Sequence, residues 1–116
     1  MSIENRKSLI EFPPLLDPLF ESVQQGLKTL ELRKEQPPFT NVKVADSVIL
    51  KSRKSEQVKV EIIAIRKYKS LDEVLKNENV EKLAPNTTEE QRRDFAQRMF
   101  PDPNVPLLLF EFKKVG

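Results

Sequence analysis

Gln57 to Tyr68 reads QVKVEIIAIRKY, a segment whose Val and Ile content favours a long β-strand. Apolar side chains occur at both parities along it, with Val58, Val60, Ile62 and Ala64 on one face and Ile63 and Ile65 on the other. Side chains of a strand alternate between faces, so this strand is covered on both sides over part of its length. A chain of 116 residues is long enough for one core and too short for two domains, and a closed or strongly curved sheet meets the requirement within that size.

The flanking segments supply the rest of such a sheet. Ser47 to Ser52 reads as the antiparallel neighbour, joined through a turn at Lys54, Ser55 and Glu56. Val105 to Lys113 is a closing strand with Leu108, Phe110 and Phe112 on one face, and a short strand at Leu9 to Phe12 must end at Pro13 and Pro14. Asp17 and Pro18 mark a helix start, as N-cap and first helical residue, and Leu19, Phe20, Val23 and Leu27 keep the spacing of a buried helix face. Ser70 caps a short helix carrying Leu71, Val74 and Leu75, with Glu73 completing a capping box. Residues 77–86 read as irregular, with Val80 and Leu83 turned inward and Pro85 as a break. Thr87 or Thr88 caps a last helix whose Arg92, Phe95, Ala96, Met99 and Phe100 recur at helical spacing, which lays it against the sheet. Lys34 to Asn41 contains Pro37 and Pro38 and is a loop, on which Phe39 either packs down as an anchor or stacks on a base. This order predicts one α+β domain over 1–116, a small barrel of five or six strands flanked by two to four helices.

The chain has no cysteine and no histidine, which removes disulfides, thiolate chemistry, the usual zinc sites and histidine-based catalysis; no metal or other cofactor is expected. Catalysis would run on Lys, Asp, Glu, Thr, Ser or the single Tyr68. The apolar run from Val105 to Phe112 is broken by Pro106 and Glu111, so no membrane span is expected, and the polar start from Met1 to Leu9 does not resemble a signal peptide. A cytoplasmic protein is expected, or a nuclear one in a eukaryote. Net charge is +2, but Lys43 to Lys69 carries eight Lys/Arg against three Asp/Glu, whereas Ser70 to Asp94 carries four against seven. The basic middle either attracts polyanions or is simply a solvated surface.

Gly26 to Arg33, GLKTLELR, is the stretch richest in chemistry. Gly26 closes the helical pattern as a residue suited to positive φ. Beyond it Leu30 and Leu32 fall on one strand face and Thr29, Glu31 and Arg33 on the other, with Lys28 on the turn between. A hydroxyl, a carboxylate, a guanidinium and an ammonium side by side make either a site or a salt-bridged surface.

These residues form a G-x-K-x-x-E-x-R pattern. With the hydrophobic segment Val42 to Leu50, Tyr68-x-Ser70-Leu71, Phe100-Pro101 and the closing strand Leu108 to Phe112, the chain resembles the ASCH domains, PUA-like β-barrels named after a transcription coactivator. Ala45 stands where that family usually has glycine before the aspartate at Asp46. The resemblance implies a cleft between helices and barrel, lined by Lys28, Glu31 and Arg33, and a link to RNA. One bacterial group of ASCH proteins hydrolyses the acetyl amide of N4-acetylcytidine with a lysine, a threonine and a glutamate; these fall on Lys28, on Glu31 and near Pro85, with Thr29 and Glu89 as neighbours.

Three readings follow. As a binding module for RNA or a modified nucleoside, a monomer without membrane association, the domain uses Lys28, Thr29, Glu31, Arg33 and Tyr68: Lys28 and Arg33 on phosphate or base edges, Glu31 accepting from an amine or ribose hydroxyl, Tyr68 stacked on the base. As a nucleoside amidohydrolase or a ribonuclease it uses Lys28 or Glu31 as base. As a docking module for a protein partner it exposes an apolar patch near Phe12 and Phe39.

Overall fold

The computed structural model describes residues 10–115; the arm before Ile10 and the final Gly116 lie outside the described residues. In chain order it contains β1 (Ile10–Glu11), α1 (Asp17–Gln24), β2 (Leu30–Lys34), a 3-10 turn (Phe39–Asn41), β3 (Ser47–Lys51), β4 (Gln57–Tyr68), α2 (Leu71–Asn77), α3 (Val80–Leu83), α4 (Glu89–Met99) and β5 (Leu107–Lys114). The five strands form one curled sheet in the order β1-β3-β4-β5-β2, antiparallel except where β1 runs parallel to β3; the fold is α+β and barrel-like as expected, with five strands forming a half-barrel.

The long β4 lies at the centre of the sheet and is paired on both sides. Its register against β5 slips between Ile62 and Ala64, so Ile63 bulges out and is 42% exposed, contrary to the buried face expected for it. A bulge inserts one residue and shifts the alternation behind it. Val60 and Ile62 before the bulge and Ile65 after it therefore serve the same core, together with Phe12, Phe20, Val48, Leu50, Leu108, Phe110 and Phe112 inside the barrel. On the opposite face of the sheet Leu30, Leu32, Leu107 and Leu109 form a second core with Val74 and Phe100, and Tyr68 packs against it. β5 feeds both, Leu108 and Phe110 inward and Leu107 and Leu109 outward, each effectively removed from water. Burial on this scale is worth about 1.5–3 kcal/mol per large side chain.

Helix ends follow local chemistry, with differences from the sequence reading. Leu16, not Asp17, occupies the N-cap of α1 and offers no side-chain cap; Asp17 lies one residue inside, where its charge still meets the positive end of the helix. Leu27, expected on the buried face, is 48% exposed because the helix has already ended. Ser70 caps α2 through Glu73 N–H, but the Glu73 carboxylate accepts from Lys69 N–H, so the box is not reciprocal. Within the stretch read as irregular, Asn79 caps the single turn of α3. Thr88 and Gln91 form a full capping box on α4. This helix buries none of its residues, so the expected packing against the sheet is not found; Phe100, just beyond it, is the anchor. Phe39 packs down edge-on against Phe12, 5.2 Å between ring centres, and both are buried, which leaves no apolar docking patch there.

Ala45 adopts φ +77°, and its N–H donates to Ile62 O at 2.7 Å, tying the loop to β4. Left-handed backbone costs a residue with a Cβ about 1–2 kcal/mol, and glycine returns some of that gain through its freer unfolded chain. The Ala45→Gly variant, which loses no buried contact because Ala45 is exposed, is therefore expected to gain about 0.5–1 kcal/mol in urea unfolding.

Candidate functional site

The site begins at the end of α1. Gly26, at φ +79°, donates its N–H to Val23 O, and Leu27 donates to Ser22 O, the paired bonds of a Schellman helix end. Lys28 N–H also returns to Ser22 O. The reversal turns Lys28 inward toward β2 and α3 instead of letting it point to solvent, and it is 2% exposed.

β2 then places Glu31 and Arg33 opposite Phe110 and Leu108 of β5, the barrel-facing residues, while Leu30 and Leu32 serve the outer core. Both faces of this edge strand are buried. The Lys28 ammonium lies 3.0 Å from Glu31 Oε1 and donates to Leu30 O at 2.5 Å and Leu83 O at 2.6 Å. Arg33 Nη2 donates to Glu31 Oε2 at 2.5 Å and to Pro13 O at 3.4 Å. Pro13 follows the opposite edge strand β1, so this guanidinium spans the gap between the sheet's two edges. Its Cζ stands 5.7 Å from the ring centres of both Phe12 and Phe39, within cation–π range. Arg33 Nε is buried and has no hydrogen-bond partner among the described residues.

Burial alone would raise the Glu31 carboxyl, but Lys28 and Arg33, by charge and by hydrogen bonds, hold it below the usual carboxylate range. Burial draws the Lys28 ammonium below its ordinary value, with Arg33 adding to the effect and Glu31 opposing it. Three acceptors around Lys28 Nζ match the three donors of an ammonium, so the geometry holds the proton on and leaves no lone pair for a base.

Lys28, Glu31, Leu32 and Arg33 line a cleft of about 430 Å³, a size that suits one small organic ligand. One wall is formed by residues 13–16 and 19 with Arg53 of the β3–β4 turn; the other by Leu71 and Leu75 of α2, Val80 and Leu83 of α3, and Arg92, Phe95, Ala96 and Met99 of α4. The stripe of α4 expected against the sheet faces this cleft instead. Of the predicted site residues, Thr29 and Tyr68 are not among those lining it. Thr29 N–H donates to Lys82 O. The Tyr68 hydroxyl donates to Glu78 Oε2, whose carboxylate also accepts from Arg66 Nε at 2.6 Å and Nη2 at 2.9 Å. Burial would raise Glu78, and the bonds from Arg66 and Tyr68 bring it below the usual range. This cluster fastens the α2–α3 junction to β4 and so sets one wall of the cleft. Arg53, Thr87, Arg92 and Arg98 line the cleft without having been singled out as site residues; the only signal was Arg92 on the apolar stripe of α4.

The curled five-stranded sheet with a helix-covered mouth has counterparts among solved structures. The hypothetical protein PH0355 is 22% identical with a TM-score of 0.71, covering 91% of this chain and 96% of its own. A Pyrococcus furiosus protein solved by NMR in solution is 20% identical with a TM-score of 0.67, covering 93% and 98%. A mutant ASCH protein of Zymomonas mobilis is 17% identical with a TM-score of 0.64, covering 90% and 67%. No curated protein matches the chain. The ASCH domain model matches residues 15–103, and the chain belongs to the ASCH domain family.

Replacing Glu31 leaves two buried cations unbalanced, a loss of about 3–5 kcal/mol. Glu31→Gln is expected to show it in urea unfolding. The folded carboxyl lies below its ordinary value near 4.5, so its contribution is complete above that pH and is lost as pH falls through the lower, folded value. Wild type should therefore lose stability below about pH 4.5 and Glu31→Gln should show a shallower loss; parallel acid limbs would remove Glu31 from that account.

Proposed function

We propose that the cleft beside β2 binds RNA or a modified nucleoside, with Glu31 and Arg33 as the polar floor. The observation that carries this reading is a charged trio, each member under 10% exposed, in a cleft whose lining is mostly apolar. Buried charge is costly even when paired, and apolar residues of similar size often serve stability as well or better. Convergent polar groups with shifted pKa values at the base of an apolar pocket are the usual mark of a ligand site.

Each Glu31 oxygen uses one lone pair on a cation and keeps another for a base amine or a ribose hydroxyl. The unpartnered Arg33 Nε–H is a second group whose need a ligand could meet after a small side-chain movement. Membership of the ASCH family supports RNA as the ligand class. The saturated ammonium of Lys28 favours binding over hydrolysis, because a lysine base must first give up its proton.

Ala96 faces the cleft from α4 and is half-buried, so Ala96→Trp fills the space without touching the charges. Titration of a short single-stranded RNA and of cytidine should show binding to wild type and a loss of about tenfold or more in Ala96→Trp, a change of about 1.4 kcal/mol. Equal affinity in the two proteins would overturn the assignment. Release of acetate from N4-acetylcytidine, followed by mass spectrometry, would show that the same cleft is hydrolytic.

A further inference from the structure

The charges around the cleft are not equivalent. Five cations line it, Lys28, Arg33, Arg53, Arg92 and Arg98, against the single carboxylate of Glu31. On the floor that carboxylate offsets one of the two charges of Lys28 and Arg33 and pairs with both, and the three donors of Lys28 are all taken. A phosphate brought there would meet Glu31 at close range and find few open donors. The Glu31 carboxylate and the filled donors of Lys28 thus suit the floor to a neutral, amine-bearing base better than to a phosphate.

The rim has the opposite character. Arg92 Nη1 donates to Thr87 O at 2.5 Å and reaches Thr87 Oγ1 at 3.2 Å and Glu81 at 3.4 Å, so it braces the helical wall. Arg98 pairs with Asp94 but is 78% exposed on its side chain, a weak, solvent-screened contact that a phosphate can outcompete. Arg53 has no ion-pair or hydrogen-bond partner among the described residues and is exposed. It belongs to the β3–β4 turn, whose Ser52 is bridged to Leu15, and so lines the cleft beside residues 13–16. Two exposed guanidiniums thus line the cleft, and guanidinium is the side-chain group best matched to phosphate oxygens.

Resting on the reading of the cleft as a nucleoside site, we propose that its ligand is a phosphate-bearing nucleotide, free or terminal in an RNA. The base enters toward Glu31, and the phosphate stays at the mouth between Arg53 and Arg98. The cleft volume suits one nucleotide, with any further RNA running outside it.

The test is calorimetric titration with cytidine, cytidine 5′-monophosphate and a short 5′-phosphorylated oligonucleotide against wild type, Arg53→Ala and Arg53→Lys. Arg53 is exposed, so these variants should fold as wild type does, which circular dichroism checks. The monophosphate is expected to bind wild type about tenfold more tightly than cytidine at low salt, the effect of one charge-assisted contact. That advantage should shrink with added salt, fall to about twofold in Arg53→Ala and be largely kept in Arg53→Lys. If the oligonucleotide alone shows the advantage, the terminal source is assigned; if the free monophosphate shows it equally, the mononucleotide is. Equal binding of cytidine, its monophosphate and the phosphorylated oligonucleotide, or an advantage untouched by Arg53→Ala, overturns the phosphate assignment and leaves the nucleoside reading standing. Binding of none of the three overturns that reading itself.

Discussion

Glu31 carries its charge inside the barrel because two cations are held there with it. Lys28 and Arg33 each give it one short contact, and neither cation depends on Glu31 alone: Lys28 is also held by two main-chain carbonyls, Arg33 by Pro13 O and two aromatic faces. The trio thereby joins parts of the chain far apart in sequence. Through Leu83 it reaches the helical wall, through Pro13 the segment beyond β1, and through Phe12 and Phe39 the inner core. A half-barrel whose two edge strands do not pair needs a tie across the opening, and Arg33 provides it where a backbone ladder would otherwise be required.

The bulge at Ile63 is the second constraint. By shifting the alternation of β4 it lets one strand serve the inner core at one end and turn Arg66 and Tyr68 toward the helices at the other. The Arg66, Tyr68 and Glu78 cluster then holds α2 and α3 in place, while α4 is tied to α3 by Arg92 and Glu81 and anchored beyond its end by Phe100. A helix held in this way and burying none of its residues leaves its apolar stripe facing a space instead of a core. The cleft exists because that space stays open, lined by greasy side chains that would otherwise have packed.

Much of this was legible from local chemistry. The strands Ser47 to Ser52, Gln57 to Tyr68 and Val105 to Lys113, the glycine turn at Gly26, the caps at Ser70 and Thr88 and the grouping of Lys28, Glu31 and Arg33 each depend on residues close together in the chain. Short-range hydrogen bonding and alternation decide such features, so the residue order displays them. The left-handed backbone at Ala45 was not among these readings, which noted only that the residue departs from the glycine usual in the resembling family.

What tertiary structure alone decided depends on partners distant in sequence. No pattern marks Ile63 as the residue a ladder will expel, because that follows from how β4 and β5 come into register. The stripe Phe95, Ala96 and Met99 has the same spacing whether it meets a sheet or a cavity, so periodicity said that α4 has an apolar face and not what lies opposite. Tyr68 looked free to stack on a base until the fold brought Glu78 to its hydroxyl. Arg53 is one of many basic residues in the middle of the chain, and only the fold brings it and Arg98 to the lining of one cleft. Residue order determines the periodicities and the caps; which apolar faces meet, and which charges share one dielectric, is settled when the curled sheet brings its edges together.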